Sequence, residues 1–406
     1  MNEDILMEVR GLKVVIPLKN GRQSIPVDHV DLTIPRGRTV GLVGESGCGK
    51  SMTARSLMRL LDDPIHIDEG TILYYPAQES DLRNLQEDAR RQERKAAQGS
   101  GRRRGPKGAA AAEPGQGPDG SAATSSAAEP GQAPNGRAAS SSAAGAGDPV
   151  PEDAVDIVKV SERTMRSVRG HNITMIFQEP MTALNPSITV GKQVREAILL
   201  HEKVSRREAK ERVLQCFRDV GIPEPERRYD SYPHQLSGGL RQRICIAMAM
   251  VLNPEFLIAD EPTTALDVTV EAQILGLMRQ LQKDRDMSIL LITHNLGVVA
   301  DICDEVNVMY AGQIVEHAGK EELFRNARHP YTQGLMRAIP RVRGRMDEEL
   351  YTIEGTVPDF AAMPQGCRFC ARCPYAQPRC REEMPALSDI GGGHLVRCHR
   401  IEGEPV

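Results

Sequence analysis

Along the chain, short uninterrupted apolar runs alternate with longer stretches in which apolar residues recur every three or four positions. TVGLVG (Thr39–Gly44), FLIAD (Phe256–Asp260) and SILLITH (Ser288–His294) are too short and too uniformly apolar for half-exposed helices, and are predicted as buried strands. TILYY (Thr71–Tyr75) is predicted as a further strand. SMTARSLMRLL (Ser51–Leu61) and VEAQILGLMRQLQ (Val270–Gln282) carry their apolar residues at helical spacing. Strands alternating with helices predict an α/β fold, a mostly parallel sheet with helices on both faces.

One segment breaks the pattern. From Ala96 to Val150, 43 of 55 residues are Ala, Gly, Pro, Ser or Gln, with one Val and no Leu, Ile, Met, Phe or Tyr. Such a stretch buries too little apolar surface to offset its ordering entropy and is expected to be disordered. It holds a tandem repeat, Ala111–Ser126 followed by Ala127–Ser142, identical at 12 of 16 positions. The unit has no apolar face to stack, so the repeat reads as a duplication in a surface loop and not a solenoid. The run just before it, Arg90–Lys107, is rich in Lys and Arg with a single Glu, and reads as a solvated charged stem.

Composition narrows the classes. Among 406 residues the net charge is −4, so no whole-chain field points to nucleic acid or a membrane surface. The longest apolar run, Ile244–Leu252, is nine residues, against about 20 for a bilayer span. The opening residues, MNEDILMEVR, are acidic and show no apolar signal core. A soluble, cytosolic chain able to dock on a membrane is expected.

The sharpest chemistry is GESGCGKS, Gly44–Ser51, which fits G-x-x-x-x-G-K-[ST] between a predicted strand and a predicted helix. Glycines at Gly44, Gly47 and Gly49 let backbone N–H groups turn inward around phosphate oxygens, with Glu45, Ser46, Cys48 and Met52 completing the loop and the helix start. Lys50 is expected to reach the β- and γ-phosphates and Ser51 to ligate Mg²⁺. Asp260 and Glu261 end the FLIAD strand, where an acid suits the second Mg²⁺ contact and the next residue can polarise the attacking water.

With these segments the sequence resembles the ATP-binding cassette (ABC) ATPases. LSGGLRQR (Leu236–Arg243) is similar to the family's signature segment, FQEP (Phe177–Pro180) to its Q-loop with Gln178 at the matching position, and ALD (Ala265–Asp267) to its D-loop. His294 stands at the switch-histidine position. The resemblance implies a P-loop ABC ATPase fold, a RecA-like core with a helical subdomain, and a head-to-tail dimer holding two ATP molecules. Gly44–Met52, Gln178, Asp260, Glu261 and His294 would face one nucleotide. Ser237, Gly238 and Gly239 would face the nucleotide of a second ATPase subunit. Glu261, His294, Gln178 and Lys50 are thereby the expected catalytic residues, with Ser51, Gln178 and Asp260 on Mg²⁺. Where the family stacks an aromatic residue on adenine, the matching position holds Ile16.

RHPYTQGLMRAIP (Arg328–Pro340), QEPMTALNP and DEPTTALDVTVEAQIL resemble the dipeptide and oligopeptide importer branch. The division drawn is an ATPase unit at 1–327, interrupted by a low-complexity insertion at about 84–153, and a small Cys-rich C-terminal extension at 328–406. In the extension, Cys367, Cys373, Cys380 and Cys398 match the branch's C-x5-C-x6-C pattern with a later Cys. That resemblance implies a [4Fe-4S] cluster; Zn²⁺ on four Cys, or on three with His399, and unligated or disulfide-bonded cysteines are the alternatives, and Cys370 adds a fifth sulfur. The branch implies two integral-membrane permease subunits, an extracytoplasmic solute-binding protein, a peripheral location on the cytoplasmic face of the inner membrane, and no nucleic acid. A soluble ABC ATPase acting on ribosomes or DNA is the other class considered. Translation-type members usually carry two cassettes, and DNA-repair members a heptad coiled coil where this chain has Pro and Gly.

Overall fold

The computed structural model describes residues 4–100, 149–178, 183–264, 266–339 and 351–401. Its centre is an eight-stranded sheet whose parallel strands are the apolar runs of the sequence. These are β3 (Thr39–Val43), β6 (Ile173–Ile176), β7 (Phe256–Asp260), β8 (Ser288–Thr293) and β9 (Glu305–Tyr310). The order is β9-β3-β8-β7-β6, extended antiparallel from β9 by β10 (Gln313–Gly319) and then by the short β12 (Leu395–Val396) and β11 (Ser388–Asp389). β1 (Ile5–Pro17), β2 (Gln23–Pro35), β4 (His66–Tyr74) and β5 (Val155–Asp156) form a separate antiparallel sheet, in the order β2-β1-β4-β5.

The continuous apolar runs are explained by burial on both faces. Val40, Leu42, Phe256, Ile258, Leu290 and Ile292 pack toward the antiparallel sheet, with Val9, Leu32 and Ile72. Their alternates Val43, Leu257, Ala259, Ile289 and Leu291 pack toward the helical side, with Val194, Phe217 and Ile244. Side chains alternate across a strand, so a run of six apolar residues serves two cores at once. The helical side is built from Val190–His201, Arg206–Asp219, Pro225–Tyr229 and Gly238–Met250. Among the described residues no helix is long and apolar enough to cross a membrane.

The insertion begins later than its composition suggests. Residues 84–100, assigned to it from the sequence, belong to a helix, Glu79–Ser100, whose first turn carries Glu79 and Asp81 at the end that favours acids. Leu85 is buried, Gln86 donates to the Glu152 and Ala154 carbonyls, and Asp88 accepts the Ser161 N–H. The helix is therefore fastened to the segment that re-enters the fold. The tandem repeat Ala111–Ser142 lies outside the described residues, as do Glu179 and Pro180 of the Q-loop match, Ala265 and Pro340.

The extension completes the large sheet. β12 pairs with β10 through Glu316↔Val396 and His317↔Leu395, and the Arg397 N–H donates to the Val315 carbonyl at 2.8 Å.

Candidate active site

Register gathers the chemistry. Val43 lies opposite Thr293, and Asp260 opposite Ile292, in neighbouring parallel strands. The residues that follow those strands, Gly44, Glu261 and His294, thus emerge at one carboxyl edge of the sheet, where open α/β folds bind ligands. The loop then turns into helix Lys50–Leu57, capped by Gly49 at φ 109°, a left-handed conformation. A Cβ on Gly49 would stand 2.2 Å from the Pro26 carbonyl oxygen, so β2 forms a wall that admits glycine there.

Lys50 is buried, and its ammonium donates to the Gly44 carbonyl at 2.8 Å and the Glu45 carbonyl at 3.0 Å. The Ser51 hydroxyl donates to Asp260 Oδ1 at 3.1 Å. That hydroxyl and carboxylate are an oxygen pair of the kind Mg²⁺ takes, and burial pushes the Asp260 carboxyl above its ordinary range. Glu261 is held from three sides. Gln178 Nε2 donates to it at 3.1 Å, Thr264 Oγ1 donates at 2.9 Å, and His294 Nδ1 lies 3.0 Å away. Burial alone would raise the Glu261 carboxyl, but the hydrogen bonds from His294 and Thr264, together with the charges of His294 and Lys50, outweigh it and hold the group below its usual value. Ser46, Gly47, Gly49, Lys50, Met52 and Gln178 line one recess together with Pro26, Ser51 and Glu261.

Every residue expected at the phosphate loop, Gly44–Met52, sits on this edge with Gln178, Asp260, Glu261 and His294. Ser237 caps helix Gly238–Met250, accepting the Leu240 N–H, and Ser237 and Gly238 are exposed. Ile16, at the adenine position, is half-buried in β1 opposite Ser24. Thr264 and Pro26 were not anticipated. Thr264 lies inside the DEPTTALD segment already recognised, whereas nothing local to Pro26 announces that it walls the loop.

Among the described residues no group of three or more His, Cys, Asp or Glu stands arranged to hold a metal ion, so the geometry lends the [4Fe-4S] or Zn²⁺ reading of Cys367, Cys373, Cys380 and Cys398 no support. Their loop is held otherwise. The Cys367 N–H donates to the Cys380 carbonyl at 2.8 Å, and Phe369 packs edge-on against Tyr310 with centroids 5.2 Å apart. Burial pushes the Cys367 thiol up to about 12 and raises those of Cys373 and Cys398.

The fold and site define the class: a P-loop ATPase of the cassette type. A family model for ABC transporters matches residues 27–100 and 148–264, and one for the oligopeptide/dipeptide transporter C-terminal region matches 315–380. The oligopeptide transport ATP-binding protein of Bacillus subtilis is 47% identical, aligned over 97% of this chain and 88% of its own length. The dipeptide transport ATP-binding protein of the same organism is 38% identical over 97% and 94%. The dimeric structure of a bacterial ABC transporter cassette, MJ0796, superposes with a TM-score of 0.53 at 18% identity, covering 78% of this chain and 99% of that one. The chain belongs to the ABC transporter ATP-binding proteins, in the branch that carries the oligopeptide/dipeptide C-terminal region, and it is an ATPase.

Proposed function

We propose that this chain energises the uptake of dipeptides, oligopeptides or a related small solute, working as one of two ATPase subunits beneath a pair of integral-membrane permeases. The observation that carries the reading is Glu261, held by Gln178, Thr264 and His294 at the mouth of the phosphate loop. The backbone N–H groups of the loop that follows Glu45, 46–51, and the Lys50 ammonium bind the phosphates. Ser51 and Asp260 would hold Mg²⁺, which would supply charge neutralisation for the phosphate oxygens. Glu261 accepts a proton from the attacking water, and His294 keeps that carboxylate turned toward the water. Gln178 bonds the same carboxylate from an exposed position, so movement of its loop couples hydrolysis to a permease. Ser237, Gly238 and Gly239 offer N–H donors to the nucleotide of the second subunit, and the pair closes around two ATP molecules.

Support for peptide import lies in the C-terminal region and in the relatives that carry it. The location that follows is peripheral, on the cytoplasmic face of the inner membrane, with a solute-binding protein on the far side delivering cargo. The test is a pull-down of tagged Glu261→Gln protein with ATP from detergent-solubilised membranes. The expected partners are two polytopic permeases, a second cassette ATPase and a solute-binding protein. Recovery of ribosomal or DNA-associated proteins alone would sink the transport reading.

A further inference from the structure

The C-terminal region reaches the phosphate loop itself. Glu45, the second residue of the loop, donates its backbone N–H to the Tyr331 hydroxyl at 2.9 Å. Its carboxylate takes a bond from Arg372 Nη1 at 3.0 Å. Both side chains are buried. Tyr331 is wholly buried among Tyr310 and Phe369, with ring centroids 4.7 and 5.5 Å away. The Arg372 side chain is 6% exposed, and its guanidinium also donates to the Ile353 and Glu354 carbonyls and lies 5.7 Å from the Tyr310 ring centroid. The backbone of Arg372 is carried by a tight turn in the Cys-rich loop, its N–H on the Phe369 carbonyl and the Cys373 N–H on that of Cys370.

Glu45 in turn fixes Lys50, because its carbonyl is one of the two oxygens that hold the ammonium. We infer that Arg372 and Tyr331 are positioning residues for ATP: through Glu45 they set where Lys50 stands, and so the Cys-rich extension tunes nucleotide affinity in cis. The Glu45 N–H is thereby committed to Tyr331 and the carboxylate to Arg372. With Arg372 gone, an uncompensated anion stands one residue from the Gly44 turn, where the ligand's phosphates are also negative. Affinity for a polyanion falls, while the bonds around Glu261 that serve the chemical step are untouched.

The inference rests on the proposed reading in taking ATP as the ligand. It is tested on the full chain by measuring the Kd for ATP with a fluorescent ATP analogue in competition, alongside KM and kcat. Arg372→Gln is expected to raise the Kd and KM for ATP about tenfold with kcat held within about twofold, which corresponds to ~1.4 kcal/mol of binding. Arg372→Lys is expected to recover most of the loss, since it restores the charge. Glu45→Gln combined with Arg372→Gln should bind ATP more tightly than Arg372→Gln alone, because the exposed anion is gone. A merely structural role for Arg372 would not produce that recovery. An unchanged Kd in Arg372→Gln, or a double variant weaker than the single one, overturns the inference. A natural-sequence chain that binds no ATP overturns the functional reading and this inference with it. Where the natural chain binds normally, a failure in the variants counts against the role of the extension alone.

Discussion

Two opposed influences act on the Glu261 carboxyl. Burial favours its neutral form, and hydrogen bonds from His294 and Thr264, together with the charges of His294 and Lys50, favour the anion and win. A base must be unprotonated to work, so a depressed value keeps Glu261 competent well into acid. His294→Ala removes the larger of the two bonds and the charge beside it, leaving Thr264 and Lys50 to oppose burial. The Glu261 value then rises, and the acid limb of the pH–kcat profile moves to higher pH. A pH–rate series at saturating ATP checks this; an acid limb that stays in place would detach His294 from the tuning of Glu261. At this scale the site was legible where its chemistry is local in sequence. A phosphate loop needs glycines and a Lys-Ser pair at fixed spacing, so Gly44–Ser51 announces itself. Pro26 and Arg372 reach the loop only through tertiary contact, from 23 residues before Gly49 and from the far end of the chain, and no local pattern marks them.

The same division between local and distant holds for elements. The parallel strands were legible because burial on both faces writes an unbroken apolar run, as in β7 and β8. The helix Glu79–Ser100 was not, because its anchoring uses one narrow stripe, with Leu85 buried and Leu82 and Ala89 half-buried amid charged neighbours. Its polar bonds to Glu152, Ala154 and Ser161 join segments separated by the whole insertion. The helix is thus part of the ATPase body and the insertion is narrower than its composition implies. Replacing 101–148 by a short Gly-Ser linker is expected to leave kcat within about twofold, since each doubling or halving of a flexible loop's length changes its closure cost by only about 0.6 kcal/mol. Leu85→Ala, in contrast, should lower stability by about 2–3 kcal/mol for a buried Leu truncated to Ala. Steady-state turnover and thermal melts separate the two; lost turnover on linker replacement would place 101–148 in the machinery.

For the whole molecule, the question is whether the extension is an appendage. Glu316, in β10, is completely buried, and its carboxylate takes bonds from the Arg328 N–H at 2.6 Å, the His329 N–H at 3.0 Å and His394 Nε2 at 2.8 Å. All three donors lie beyond residue 327. Tyr310, at the end of β9, is likewise sealed by Tyr331 and Phe369. A chain ending at residue 327 would leave a carboxylate without these donors beside the central sheet, a loss of about 3–5 kcal/mol if the group stays buried. It would also uncover an aromatic side chain whose burial contributes about 1.5–3 kcal/mol. Domains are stable by only about 5–15 kcal/mol in total, so these two losses alone are a large share. We expect the truncated chain to lose cooperative thermal unfolding and to aggregate. His394→Ala in the full chain removes one donor of three, and should melt cooperatively at a lower temperature. Should residues 1–327 melt cooperatively at the full-length temperature, the extension would be separable. Otherwise it is the last structural layer of the ATPase, and its hold on Glu316 is what keeps Tyr331 and Arg372 within reach of the phosphate loop.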